Sequence, residues 1–196
     1  MYDDILKILY LIGAFCLWIL LTAIILNFFF SKKEKVKREK KSVVETGSML
    51  AFFLVMFILV YLKFGVIEID ELINLIISIF GTIFIIIGTI INVFGRLKLK
   101  SNWGNQIKIY ENHTLTTTGI YKYIRHPLYS STILMLYGFS LLFINPVVFI
   151  LNSILFLPFM IHRARLEDEM LLLTFKDTYS EYKSKTGLFI PKFRRK

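Results

Sequence analysis

The chain has 196 residues, 56% of them apolar and 16% aromatic, and its 24 Lys and Arg against 14 Asp and Glu give a net charge of +10. Mean hydropathy is +0.62, which excludes a disordered chain, and the apolar residues come in runs of about twenty that a soluble domain does not hold. A disulfide scaffold is excluded because the single cysteine, Cys16, lies inside such a run. The class that remains is a small polytopic membrane protein with basic loops and ends.

A helix crosses the hydrocarbon core with about 20 apolar residues. Ile8 to Phe30 holds no charge and predicts the first span. It follows Met1-Tyr2-Asp3-Asp4, is too long for a signal-peptide core and precedes no small-residue cleavage site, so it is expected to remain as a mature helix. Val43 to Phe64, with Glu45 near its start and Lys63 near its end, predicts the second. Leu72 to Phe94 is uncharged and predicts the third. Leu128 to Ile144 and Val147 to Ile161 are shorter runs separated by Asn145-Pro146. That pair is a turn signal, and the residue before a proline is pushed out of the helical region. The two runs therefore read as a tight helical hairpin, spans four and five. The expected class is an all-α integral membrane protein of five transmembrane helices, with 1–94 holding the first three.

Basic residues orient the spans. Segment 31–42 carries seven Lys and Arg, 95–127 carries six and 163–196 carries nine, whereas 65–71 carries Glu68, Asp70 and Glu71. Five spans with the N-terminus outside put all three basic segments in the cytoplasm and the acidic connection outside. The positive charge is then what topology demands, with some attraction to anionic headgroups. No basic reader module is visible, so nucleic acid is not an expected partner. The span interiors hold no ionisable residue, which leaves an ion pump or channel without its usual charged path. Gly81, Gly88 and Gly95 recur every seven residues and predict close packing of span three on a neighbouring helix.

Chemistry is therefore expected in the cytoplasmic segments. Thr116-Thr117-Thr118-Gly119 is turn-prone and can present backbone N–H groups. Arg125-His126-Pro127 precedes span four, and proline suits the first helical turn because its missing N–H has no partner there anyway. Taken singly, Arg125 reads as an interfacial anchor, Pro127 as a helix starter and Tyr129 as part of an aromatic belt. Their combination with His113, Tyr121 and His126 at one membrane surface is richer than a connection requires. Asn112-His113-Thr114 matches a glycosylation sequon, but on the expected cytoplasmic side it is a coincidence. Arg163 and Glu167 are four apart and share a helix face. As an exposed pair they would contribute only about 0.3–0.5 kcal/mol. Placed where span five leaves the bilayer, they are expected to face Arg125, His126 and Tyr129 across a pocket. Leu171, Phe175, Tyr179 and Tyr182 follow a helical stripe and predict an amphipathic C-terminal helix on the domain or the membrane surface. No His or Cys cluster has metal-ligand spacing, and Cys16, inside an apolar span, is expected to be inert.

The run Tyr121-Lys122-Tyr123-Ile124-Arg125-His126-Pro127-Leu128-Tyr129, followed by Arg163-x-x-x-Glu167-Asp168 and Phe175-x-x-x-Tyr179-x-x-Tyr182, resembles the isoprenylcysteine carboxyl methyltransferase family, with phospholipid N-methyltransferases as broader relatives. The motif-bearing part runs from about residue 95 to 191, and the spacing between its halves also fits. The resemblance implies an integral membrane enzyme using S-adenosylmethionine, with a methyltransferase region over 95–196 and a cytoplasmic cofactor-binding region. It implies cofactor contacts from Gln106, His113, Thr114, Leu115, Thr116, Tyr121, His126, Pro127, Leu128, Tyr129 and Glu167. It makes Arg163 the substrate-contacting arginine and, with Glu167, a candidate catalytic residue. The implied acceptor is a lipid-borne or prenylated carboxylate, which is already a nucleophile at neutral pH and needs no general base. An amine acceptor such as a phosphatidylethanolamine headgroup, an NADPH-dependent membrane reductase and a non-enzymatic scaffold are the alternatives. Two departures stand out: the family often has two glutamates where this chain has Glu167-Asp168, and usually glycine after Phe175, where this chain has Lys176.

Overall fold

The computed structural model describes residues 2–30, 36–39, 43–99, 108–110 and 114–192. Its helices are α1 (Tyr2–Phe30), α2 (Val43–Tyr61), α3 (Glu71–Leu99), α4 (Pro127–Leu142), α5 (Pro146–Leu151) and α6 (Leu157–Lys185), with a π turn, Asn152–Phe156, joining α5 to α6. The all-helical expectation gains one feature. A short antiparallel ribbon pairs β1 (Val36–Glu39) with β2 (Lys108–Tyr110), Glu39 standing opposite Lys108. Tyr2–Leu26, Glu71–Leu99 and Pro146–Lys185 are each long and apolar enough to cross a membrane, while Ala51–Tyr61 and Pro127–Leu142 are shorter apolar helices. Large apolar side chains such as Trp18, Phe57 and Phe94 point outward and are more than 60% exposed. Bare apolar surface of this kind is what a bilayer covers, and the chain is an integral membrane protein.

The core seam runs between α3 and α4. On α3 the buried residues Ser78, Gly81, Thr82, Ile85, Gly88, Thr89, Asn92 and Gly95 recur at helical spacing. The heptad glycines are the points of closest approach, as their spacing predicts. A Cβ on Gly81 would stand 2.6 Å from both the Gly138 carbonyl oxygen and the Leu142 nitrogen, and one on Gly138 would stand 2.7 Å from the Gly81 oxygen. Between these contacts Asn92 Nδ2 donates to Ser131 Oγ (2.7 Å) and Ser78 Oγ to the Leu142 carbonyl (3.3 Å). Hydrogen bonds across such a seam keep buried polar groups satisfied where water is absent. This seam fixes the height and rotation of α4, and hence of the residues just before it.

The connections collect at two ends. At one end Asn145 caps α5 by accepting from the Val148 N–H (3.0 Å), and its Nδ2 donates to the Phe64 carbonyl (3.0 Å). The Ile67 N–H donates to the Ile144 carbonyl (3.2 Å), so the acidic α2–α3 connection lies on the α4–α5 hairpin turn that Asn145-Pro146 signals. At the other end β1 pairs with β2, and the Gly187 N–H donates to the Tyr123 carbonyl (3.1 Å). Among the described residues, parts of the three basic segments thus touch one another, 36–39 beside 108–110 and Gly187 beside Tyr123.

α6 is broken at Lys176, whose φ of 45° and ψ of −119° are not helical. The expected stripe therefore does not continue as one surface helix: Phe175 and Tyr179 fall on opposite sides of the break, and Tyr179 is fully buried. A left-handed φ is strained for any residue with a Cβ, at about 1–3 kcal/mol, and glycine adopts it without that penalty, at the cost of about 0.5–1 kcal/mol of chain entropy. Lys176→Gly is therefore expected to raise stability by about 1 kcal/mol, read as a Tm increase of about 2–4 °C in detergent.

Candidate active site

Pro127 starts α4, and His126 before it is held outside the helical region at φ −119° and ψ 62°, as a residue preceding proline must be. One turn on, Tyr129 stacks its ring on the imidazole, with centroids 5.4 Å apart and planes within 5°. The first half of α6 presents Arg163 and Glu167 on one face. The two stretches singled out in the sequence meet. Tyr129 donates its hydroxyl hydrogen to Glu167 Oε2 (2.8 Å), and Arg163 Nε donates to the Tyr129 oxygen (3.1 Å) with the guanidinium carbon 5.9 Å from the ring centroid. His126 Nδ1 lies 3.5 Å from Glu167 Oε2.

Behind this face stands Asp168, 3% exposed. Its Oδ1 is 2.8 Å from His126 Nε2 and accepts a hydrogen bond from the Tyr179 hydroxyl. Its Oδ2 accepts from Arg125 Nη2 (3.3 Å) and is 3.2 Å from Lys183 Nζ. Burial alone pulls the His126 pKa down, but hydrogen bonds and charge from Asp168 and Glu167 outweigh it and raise the pKa above the ordinary histidine value.

The chain after α6 closes over the same segment. The Arg125 N–H donates to the Gly187 carbonyl (2.9 Å) and the His126 N–H to the Leu188 carbonyl (3.2 Å). Arg125 Nη1 donates to the Thr186 carbonyl (2.5 Å) and Ser130 Oγ to the Phe189 carbonyl (2.8 Å). Tyr182 donates its hydroxyl hydrogen to the Tyr121 carbonyl (2.7 Å). Tyr121 itself lies in a 3-10 turn, Gly119–Lys122. Its hydroxyl points to the Gly95 carbonyl at 3.5 Å, and burial, with Glu167 adding to it, pushes the phenol pKa well up.

Gln106 and His113 lie outside the described residues. Thr114, Leu115 and Thr116 form the irregular stretch that leads into the turn at Tyr121, with Leu115 and Thr116 half-buried. Pro127 and Leu128 lie against Gly95 of α3. Sequence reasoning left Asp168 without a role and did not find Lys183 at all. Neither belongs to a periodic apolar pattern, and the only signal was the charged run beginning at Arg163.

Chemically, the cluster is built to bind and orient. Both His126 nitrogens face carboxylates, which suits an imidazolium donating from each and leaves no ring lone pair to act as a base. The Glu167 carboxylate, the Tyr129 hydroxyl and the Arg163 guanidinium supply an anion, a neutral donor and a planar cation joined by hydrogen bonds between α4 and α6.

Residues 81–173 match the family described as Isoprenylcysteine carboxyl methyltransferase (ICMT) family. The protein-S-isoprenylcysteine O-methyltransferase of Saccharomyces cerevisiae is 35% identical over 80 residues, 41% of this chain and 34% of that one. Protein-S-isoprenylcysteine O-methyltransferase B of Arabidopsis thaliana is 30% identical over 117 residues, 59% of each chain. The solved structure of a eukaryotic intramembrane Ras methyltransferase, ICMT, superposes with a TM-score of 0.58 at 25% identity, over 78% of this chain and 53% of that one. The chain thus spans less than two thirds of the length of these relatives. The motif resemblance to the ICMT family holds, and all four members of the Arg163, Glu167, His126 and Tyr129 cluster fall inside the matched region.

Proposed function

We propose that this chain, which carries the ICMT family's signature over residues 81–173, is a membrane methyltransferase that uses S-adenosylmethionine to methylate the carboxylate of a prenylcysteine-type lipid acceptor. One observation carries the reading: the hydrogen-bonded group of His126, Tyr129, Arg163 and Glu167, formed where α4 begins. Five membrane crossings with the N-terminus outside, and the site on the cytoplasmic side, fit the excess of Lys and Arg in the three basic segments and the contacts between their described parts.

The residues present fit the cofactor. Its amino-acid tail is a zwitterion, and the cluster sets the Glu167 carboxylate beside N–H and O–H donors from His126 and Tyr129. Buried Arg125 Nε has no hydrogen-bond partner among the described residues and is a further donor beside the same segment. When bound, S-adenosylmethionine supplies a methyl group on a positively charged sulfur. Glu167 would pair with the tail's ammonium, and His126 or Tyr129 would bind its carboxylate, turning its donor from Glu167 to the tail. Main-chain groups of 113–116 would hydrogen-bond the adenine. Arg163 would hold the acceptor carboxylate, a task its planar fork suits better than a lysine's point charge does.

A carboxylate acceptor is ionised at pH 7, so the protein has only to align it with the methyl group, and alignment can contribute about 7–11 kcal/mol. An amine acceptor has to lose a proton, and His126, facing a carboxylate at each nitrogen, is not placed to take it. α4, at 16 residues, is about 24 Å long, shorter than the roughly 30 Å hydrocarbon core. Its start at Pro127 therefore draws the site toward the depth of a lipid chain, and the acceptor would enter sideways from the bilayer.

The test uses the full chain in bilayers with methyl-labelled S-adenosylmethionine and two acceptors, a farnesylcysteine analogue and phosphatidylethanolamine. Label in the first, released by mild alkali as an ester must be, is the expected result. Alkali-stable label in the phospholipid alone would overturn the carboxylate assignment.

A further inference from the structure

The acid beside Glu167 has no task in the binding scheme above, yet four side chains converge on it from two parts of the chain. Arg125 and His126 reach Asp168 from the segment before α4, and Tyr179 and Lys183 reach it from beyond the break in α6. The last two contacts are not available to a straight helix. Asp168 and Tyr179 are eleven residues apart, about 16 Å along a continuous α-helix, well beyond the reach of a tyrosine. The break at Lys176 folds the second half back, and the Tyr179 hydroxyl then meets the carboxylate.

The geometry points to Asp168 as the positioning residue of the site: its bond to Nε2 holds the His126 ring so that Nδ1 faces Glu167, and Tyr179, Lys183 and Arg125 tie that orientation to the folded-back C-terminal segment. The inference rests on the reading of the His126–Glu167 face as the cofactor-tail site. A histidine has two ring orientations that differ by a flip, and an acceptor at a ring nitrogen selects one of them; Asp168, 2.8 Å from Nε2, is closer than Glu167, 3.5 Å from Nδ1. Asp168 is thus the stronger of the two groups that fix the ring. Its negative charge, set against Arg125, Lys183 and His126, also favours the imidazolium, the form that can donate at both nitrogens. The groups facing the ring are thus Asp168 and Glu167 from α6, Tyr129 stacked from α4 and Arg125 beside it, with Arg163, Tyr179 and Lys183 acting through these partners. Asp168 itself, buried behind the imidazole, does not share the Glu167 face.

The experiment follows the His126 ring by NMR in the full chain in lipid nanodiscs, without ligand, with His113→Gln and His162→Gln variants assigning the signals. S-adenosylmethionine affinity is measured on the same samples by calorimetry. The wild-type ring is expected to titrate above the ordinary histidine value. Asp168→Asn is expected to lower that midpoint by about one unit or more, the size of effect one removed neighbouring charge produces, and to weaken cofactor binding about tenfold. Asp168→Glu, which keeps the charge, is expected to restore most of the midpoint. A folded Asp168→Asn protein with unchanged midpoint and affinity would overturn the proposal. If that variant does not fold, Tyr179→Phe decides. Losing the competing hydroxyl leaves Asp168 more fully to His126 and should raise the midpoint, and an unchanged midpoint would overturn the proposal. Because the ring titration needs no ligand, a wild-type chain that binds no S-adenosylmethionine would defeat the cofactor reading while the histidine midpoints still judged Asp168.

Discussion

Arg163→Ala is expected to slow methyl transfer to a farnesylcysteine analogue at least 100-fold, about 2.7 kcal/mol of transition-state stabilisation, while cofactor affinity changes by no more than about threefold. The reasoning starts from position. Arg163 is 5% exposed and its guanidinium is braced by the Tyr129 hydroxyl and ring, so its fork is pre-oriented. A braced fork of this kind loses little freedom when it takes up a carboxylate. Tyr129 keeps its bond to Glu167 when Arg163 is removed, which is why the cofactor side should be spared. Arg163→Lys keeps the charge but not the planar pair of donors, and should recover only a small part of the rate. Steady-state kinetics on the two variants, with calorimetry for the cofactor, separates the effects. A near-normal rate in Arg163→Ala would remove the proposed role.

Gly81→Leu is expected to cost about 3 kcal/mol or more of stability, at the upper end of what overpacking a tight interface produces. The obstruction is backbone on both sides, the Gly138 oxygen and the Leu142 nitrogen at 2.6 Å from the first added carbon, and backbone in a hydrogen-bonded helix cannot give way as a side chain can. α4 must then separate from α3, and the segment at His126 moves with it. Thermal unfolding in detergent should fall by about 6–12 °C, with activity lost in step. Ile83→Leu on the exposed part of the same helix, at 42% exposure, is the control and should leave Tm unchanged. An undiminished Tm in Gly81→Leu would mean that the seam does not hold the two helices together.

Much of this was legible in the residues. The heptad glycines announced the α3–α4 seam because only a missing side chain allows that approach, and Asn145-Pro146 announced the hairpin because both residues act locally. Arg163 and Glu167 announced a shared face because four residues make one turn. The unread parts depend on contacts between distant segments. The ribbon of β1 with β2 joins residues about 70 positions apart, and neither strand is long enough to show an alternating pattern. Asp168 looked like one acid in a charged run, since its partners lie 42 positions back and 11 and 15 positions ahead. The break at Lys176 hid because lysine is an ordinary helix residue, and only the family's usual glycine at that point hinted at the backbone it requires. The closing segment of Thr186 to Phe189 bonds mainly through its own carbonyl groups, which carry no sequence signature.

The central claim is that the His126–Glu167 face receives the amino-acid tail of S-adenosylmethionine, and calorimetry of the full chain in bilayers tests it most directly, with wild type and Glu167→Gln side by side. The substitution preserves shape and a hydrogen-bonding oxygen but removes the charge that would pair with the ammonium, an interaction contributing about 1.5–3 kcal/mol. One saturable site in the wild type, weakened about 10- to 100-fold in Glu167→Gln, is the predicted result. No binding by the wild type, or equal binding by both, would contradict it.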